Sequence, residues 1–91
     1  IPHGRIAGLG GVRGLFFQFA RPIDFDAVDA LPVDLAFVLL SPLDAGAAHL
    51  KALAQVSRFF RDDPSVARLR GARTSEAIYA ILAGDENRDA A

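Results

Sequence analysis

Between Pro32 and the boundary Ser41-Pro42 the chain reads Val33-Asp34-Leu35-Ala36-Phe37-Val38-Leu39-Leu40, and nearly all of it is apolar. Such a run is far short of the ~20 apolar residues needed to span a bilayer. Its bounding prolines, short length and aliphatic-aromatic content favour a strand over a helix. A strand with almost no polar alternation belongs in the middle of a sheet, covered on both faces. The rest of the chain has to be arranged around it.

On its N-terminal side, residues 1–13 contain Gly4, Gly8, Gly10 and Gly11 and read as a strand end followed by a loop. Gly14-Leu15-Phe16-Phe17-Gln18-Phe19-Ala20 reads as a second strand with Leu15, Phe17 and Phe19 on one face, and Pro22 ends it or marks an edge. Residues 23–32, with Asp24, Asp26, Asp29 and Pro32, form a polar connection. These carboxylates, like Asp34, are spaced for turns and strand ends rather than for a carboxylate site.

On the C-terminal side the period changes. Leu50, Leu53, Ala54, Val56 and Phe60 recur at helical spacing from Ala47 to about Arg61, with Asp44 as cap or first-turn acid. Asp62-Asp63-Pro64 breaks this helix. Asp63 as cap and Pro64 at the first helical position then start a short helix carrying Val66 and Leu69 and ending at Gly71. Thr74 caps a last helix with Ala77, Ile78, Ile81 and Leu82 on one face and Gly84 past its end, leaving 85–91 as a frayed tail. The sum is an α/β chain of about three strands followed by three helices.

Composition narrows the function. With 91 residues, 52% of them hydrophobic, and seven Phe, the chain makes one small globular domain. Its ten basic and eleven acidic residues are mixed, which excludes a basic stripe for nucleic acid. The densest basic stretch, Arg58 to Arg73, is interrupted by Asp62 and Asp63 and reads as a solvated face. The absence of Cys excludes disulfides and thiolate chemistry and suits the cytosol. A chain opening at Ile1 with no Met reads as part of a longer product.

Chemistry therefore falls on the two histidines. His3 lies in Ile1-Pro2-His3-Gly4-Arg5, and His49 opens the helix after the apolar strand, where α/β proteins tend to place their sites. A neutral imidazole is a good nucleophile near pH 7, and phosphoryl transfer asks the protein mainly for positioning and charge stabilisation. A phosphoryl group on His3 would need donors or a cation nearby. Gly4 permits close backbone approach, Pro2 fixes how the strand delivers His3, and Arg5 is a candidate counter-charge. His49, at a helix start, would donate a hydrogen bond to a phosphoryl oxygen. Two histidines are too few for a structural zinc site, and no metal or cofactor is expected. Gly8-Leu9-Gly10-Gly11 lacks the Gly-Lys-Ser/Thr ending of a phosphate loop and precedes a strand, so it reads as a plain loop.

IPHGR at 1–5, the stretch 14–42, AGAAHLKALAQVSRFFRDD at 45–63 and LRGARTSEAIYAIL at 69–82 together resemble the enzyme IIA domain of the fructose/mannitol type. This domain belongs to the bacterial phosphoenolpyruvate-dependent phosphotransferase system, and the chain is most similar to its nitrogen-regulatory branch. The resemblance covers roughly residues 1–84. It implies a mixed sheet flanked by helices in a three-layer α/β/α fold, of which this chain is the C-terminal part. The family domain is longer at its N-terminus, where it supplies helices, a strand and an active-site arginine.

The resemblance also implies that His3 is the phosphorylated nucleophile and His49 the second active-site histidine. The implied donor is the phosphocarrier HPr or its nitrogen-branch paralogue. The implied role is that of a cytoplasmic phosphocarrier passing through a phosphohistidine and signalling by its phosphorylation state to targets such as potassium-transport or sensor-kinase proteins. Neither nucleic acid nor membrane insertion is implied. Two alternatives stand beside it: a sugar-transport enzyme IIA that passes its phosphate to a cysteine of an enzyme IIB, and a binding module without catalysis.

Overall fold

The computed structural model describes residues 1–26, 29 and 31–90, with the side chains of 85–90 excepted. Three strands, β1 (His3–Ile6), β2 (Arg13–Ile23) and β3 (Val33–Pro42), are followed by three helices, α1 (Ala47–Phe60), α2 (Asp63–Gly71) and α3 (Ser75–Ala90). The chain divides into two compact units, Ile1–His49 and Leu50–Ala91.

In the first unit the sheet order is β1-β3-β2, so the apolar run is the central strand, as its composition requires. β1 lies parallel to β3, with His3 opposite Leu39 and Arg5 opposite Ser41. Pairing starts one residue before the strand proper, because the Leu39 amide donates to the Pro2 carbonyl at 3.0 Å. β2 runs antiparallel on the other side, with Gly14 opposite Leu39 and Phe16 opposite Phe37. Full burial along β3 is confined to Leu39 and Ser41; the rest of the strand is half-buried, less covered than its composition predicts.

β2 is longer than the sequence suggests and passes through Pro22. The ladder with β3 is irregular between Gln18 and Ile23, so the missing N–H of Pro22 falls where no ladder bond is due. Leu15 and Phe17 share a face, as alternation requires, but both are exposed, whereas Phe19, expected with them, and Phe16 are half-buried. In the connection, the carboxylates of Asp24 and Asp29 accept from the amides of Asp26 and Leu31, the turn role their spacing predicts. Ala27, Val28 and Ala30 lie outside the described residues.

The second unit holds the remainder of α1 with α2 and α3. Asp62, rather than Asp63, caps α2: its backbone is extended and its carboxylate accepts from the Ser65 amide, while Asp63 becomes a first-turn acid beside Pro64. The cap position needs non-helical backbone, which the residue after the α1 break adopts first. Thr74 Oγ1 accepts from the Ala77 amide, as expected of a cap. α3 continues through Gly84 to Ala90, past its predicted end. A helical glycine costs only ~1 kcal/mol relative to Ala and does not terminate a helix by itself. Leu69 and Phe59 are the buried apolar side chains among the described residues of this unit.

A β-carbon on Gly14 would lie 2.5 Å from the Phe37 ring. Gly14→Ala therefore displaces a ring on the central strand, and urea denaturation should show a loss of roughly 1–3 kcal/mol. Unchanged stability would mean that the ring shifts freely.

Candidate functional site

Backbone alternation places His3 and Arg5 on one face of β1, and their partners Leu39 and Ser41 on the same face of β3. His49 is the third residue of α1, reached through a turn in which the Ala45 amide donates to the Pro42 carbonyl and Gly46 takes a positive φ of 54°. That left-handed residue reverses the chain direction tightly after the strand. Asp44, the expected cap, lies exposed in this turn, outside the helix, and the first turn of α1 carries no acidic residue.

Sequence periodicity put Leu50 in the buried stripe of α1, yet Leu50 is exposed. The stripe is His49, Ala52, Leu53, Val56 and Phe59. The histidine itself occupies the leading inward position; Leu53 and Val56 keep their expected places, while Ala52 and Phe59 join the stripe and Leu50 and Ala54 are exposed. His49 is only 6% exposed.

The two histidines meet. Their ring centroids are 5.9 Å apart and tilted by 47°. They differ in environment: His3 is exposed, and its Nδ1 lies 2.9 Å from the Ile1 carbonyl oxygen. A carbonyl only accepts, so Nδ1 carries a proton, and in the neutral ring the lone pair is on Nε2. The fixed φ of the intervening Pro2 restricts the geometry of this local contact. His49 is instead held from below, with Nδ1 2.6 Å from Ser41 Oγ, a side chain with no exposed surface.

Arg5 shares the strand face of His3 and is exposed. Gly4 alternates to the opposite face, and no atom lies within 4 Å of where its β-carbon would sit. Residues 7–12 form the expected loop, with Gly8 at φ 81°. Among the described residues there is no group of three or more His, Asp or Glu side chains placed to hold a metal ion. None of the helices described is long and apolar enough to cross a membrane.

Sequence reasoning missed Ser41, which it treated only as a strand boundary. The available signal was a lone hydroxyl at the inward position two residues beyond Leu39, at the end of an otherwise apolar run.

Residues 1–84 match the family described as the phosphoenolpyruvate-dependent sugar phosphotransferase system, EIIA 2. The chain belongs to this family. It is similar to the nitrogen regulatory protein of Bradyrhizobium diazoefficiens, at 51% identity over 91% of this chain and 54% of that protein. It is also similar to the nitrogen regulatory protein of Pseudomonas aeruginosa, at 40% identity over 96% of this chain and 56% of that one. The crystal structure of nitrogen regulatory protein IIA-Ntr from Neisseria meningitidis superposes with a TM-score of 0.80 at 37% identity, covering 89% of this chain and 56% of that one. The chain thus spans about half the length of these relatives. The mixed sheet followed by three helices is the arrangement this EIIA domain shares with that structure.

Because His3 is exposed while His49 is buried on Ser41, His3→Ala should change stability by no more than about 0.5 kcal/mol. His49→Ala should cost roughly 1–3 kcal/mol by leaving a buried hydroxyl unpartnered. Paired urea denaturation curves check this contrast; equal losses would mean that His3 is also part of the packing.

Proposed function

We propose that this EIIA domain is a phosphocarrier of the nitrogen-regulatory type, with His3 as the residue that accepts the phosphoryl group. The observation that carries the reading is the asymmetry of the histidine pair. His3 is exposed with Nδ1 directed to a carbonyl, so the free lone pair is on Nε2; His49, 5.9 Å away, is buried and fixed.

In this reading the Nε2 lone pair of His3 attacks the phosphorus of an HPr-type donor. The N–P bond forms as the bond to the donor breaks, and the donor retains the departing electron pair. The protein contributes position and charge rather than a covalent step of its own beyond that bond. His49 supplies a hydrogen bond to a phosphoryl oxygen. Arg5, on the same strand face, and the acid-free first turn of α1 supply a field that favours the dianion.

A regulatory output is favoured over sugar transport by the names of the similar proteins, which are nitrogen regulatory proteins at 51% and 40% identity. In this reading the phosphorylation state of His3 changes what the domain binds, with regulated proteins such as potassium transporters or sensor kinases as the targets.

The test is the intact mass of the full-length protein after incubation with phosphoenolpyruvate, enzyme I and an HPr-type carrier. We expect one acid-labile phosphoryl group on the wild type, none on His3→Ala, and slower but detectable labelling of His49→Ala. Label retained by His3→Ala would overturn the assignment. A folded wild type that gains no mass would favour a binding module that works without phosphorylation.

A further inference from the structure

We infer that Ser41 is a positioning residue for His49: its hydroxyl donates to Nδ1 and holds the ring in the tautomer that carries its proton on Nε2. The consequence for phosphoryl transfer rests on the reading of His3 as the acceptor; the tautomer assignment itself does not.

The direction of the bond follows from accounting for one proton. Ser41 has no exposed surface, and among the described residues its only side-chain hydrogen bond is the 2.6 Å contact to His49 Nδ1. A hydroxyl has one proton and two lone pairs. Were Ser41 to accept from Nδ1–H, its own proton would point into the protein interior with no acceptor, which is the costly arrangement. If Ser41 donates, the proton is satisfied, and only a lone pair is left without a partner. Nδ1 must then be the unprotonated nitrogen of a neutral ring, and Nε2 carries the hydrogen.

This fixes what His49 can offer. A ring with Nε2–H presents a donor, as a phosphoryl oxygen requires, whereas the other tautomer would set a lone pair against a dianion. His49 itself stands at the third position of α1 and at the head of its buried stripe, so little of its orientation is left to the solvent. The anchor is equally firm: Ser41 lies in the central strand opposite Arg5 of β1, on the face that also carries His3. Ser41 thus acts through His49 and touches no reacting atom.

The experiment is a long-range ¹H–¹⁵N spectrum of the histidine rings in the full-length protein, paired with the rate of phosphoryl transfer from an HPr-type donor. We expect wild-type His49 in the Nε2–H tautomer alone. Ser41→Ala should give a mixture of tautomers and about tenfold slower transfer, the loss of one oriented hydrogen bond. Ser41→Thr, which restores a hydroxyl, should recover the pure tautomer and most of the rate. His3 signals should be the same in all three proteins.

A wild-type His49 protonated on Nδ1 overturns the inference without any variant, and so does an unchanged tautomer in Ser41→Ala. A wild type that shows the Nε2–H tautomer but takes no phosphoryl group sinks the function of His3 while leaving the Ser41–His49 assignment standing. The two failures are therefore separable.

Discussion

Everything at the candidate site is placed by the pairing of β3. On one side its parallel ladder with β1 sets His3 opposite Leu39, beginning with the amide of Leu39 bonded to Pro2. Two residues further along the same strand, Ser41 holds His49. The two imidazoles come from segments 46 residues apart in the chain numbering, yet each is referenced to positions 39 and 41 of a single strand. A slip of one residue in the β1–β3 register would turn His3 to the opposite face, since side chains alternate. Register here determines which face carries His3 as well as how the sheet packs.

The antiparallel partner contributes differently. β2 supports β3 through its first half, where Gly14 leaves room for the Phe37 ring. Past Gln18 the ladder becomes irregular, and Pro22 is accommodated there. The regular half of the ladder is thus the half that backs Leu39, the strand position shared with His3. The irregular half lies toward Val33, away from the histidines.

The element order, the central apolar strand and the two histidines were legible because each rests on a strong local signal: an unbroken apolar run, a change of period, and a scarce side chain. The α1 stripe was not, because a periodicity of apolar residues cannot register a buried histidine. His49 took an inward position that polarity alone assigns to the surface, and Leu50 was displaced outward. Ser41 was hidden for the related reason that a single hydroxyl at a strand end looks like a boundary. Both misses have one origin: the polar groups that matter most to the site are buried against each other, where neither composition nor period exposes them. The Asp62 cap and the passage of α3 through Gly84 are smaller cases, decided by backbone conformation and by the modest cost of a helical glycine.

The contrast between the two histidines is what gives the pair a direction. A nucleophile has to be reached by its donor, so it must be exposed; its partner must hold a fixed geometry, so burial serves it better. His3 sits on a short strand with its Nδ1 bonded to the neighbouring Ile1 carbonyl, which settles that nitrogen's proton without burying its ring. His49 is enclosed, and a hydroxyl on the central strand takes up its inner nitrogen. In the proposed phosphocarrier reading, exchanging the two environments would leave the attacking nitrogen inaccessible and the stabilising one free to rotate. Two identical side chains acquire different environments from where the strand and the helix leave them, and a sequence motif read one residue at a time cannot express that difference.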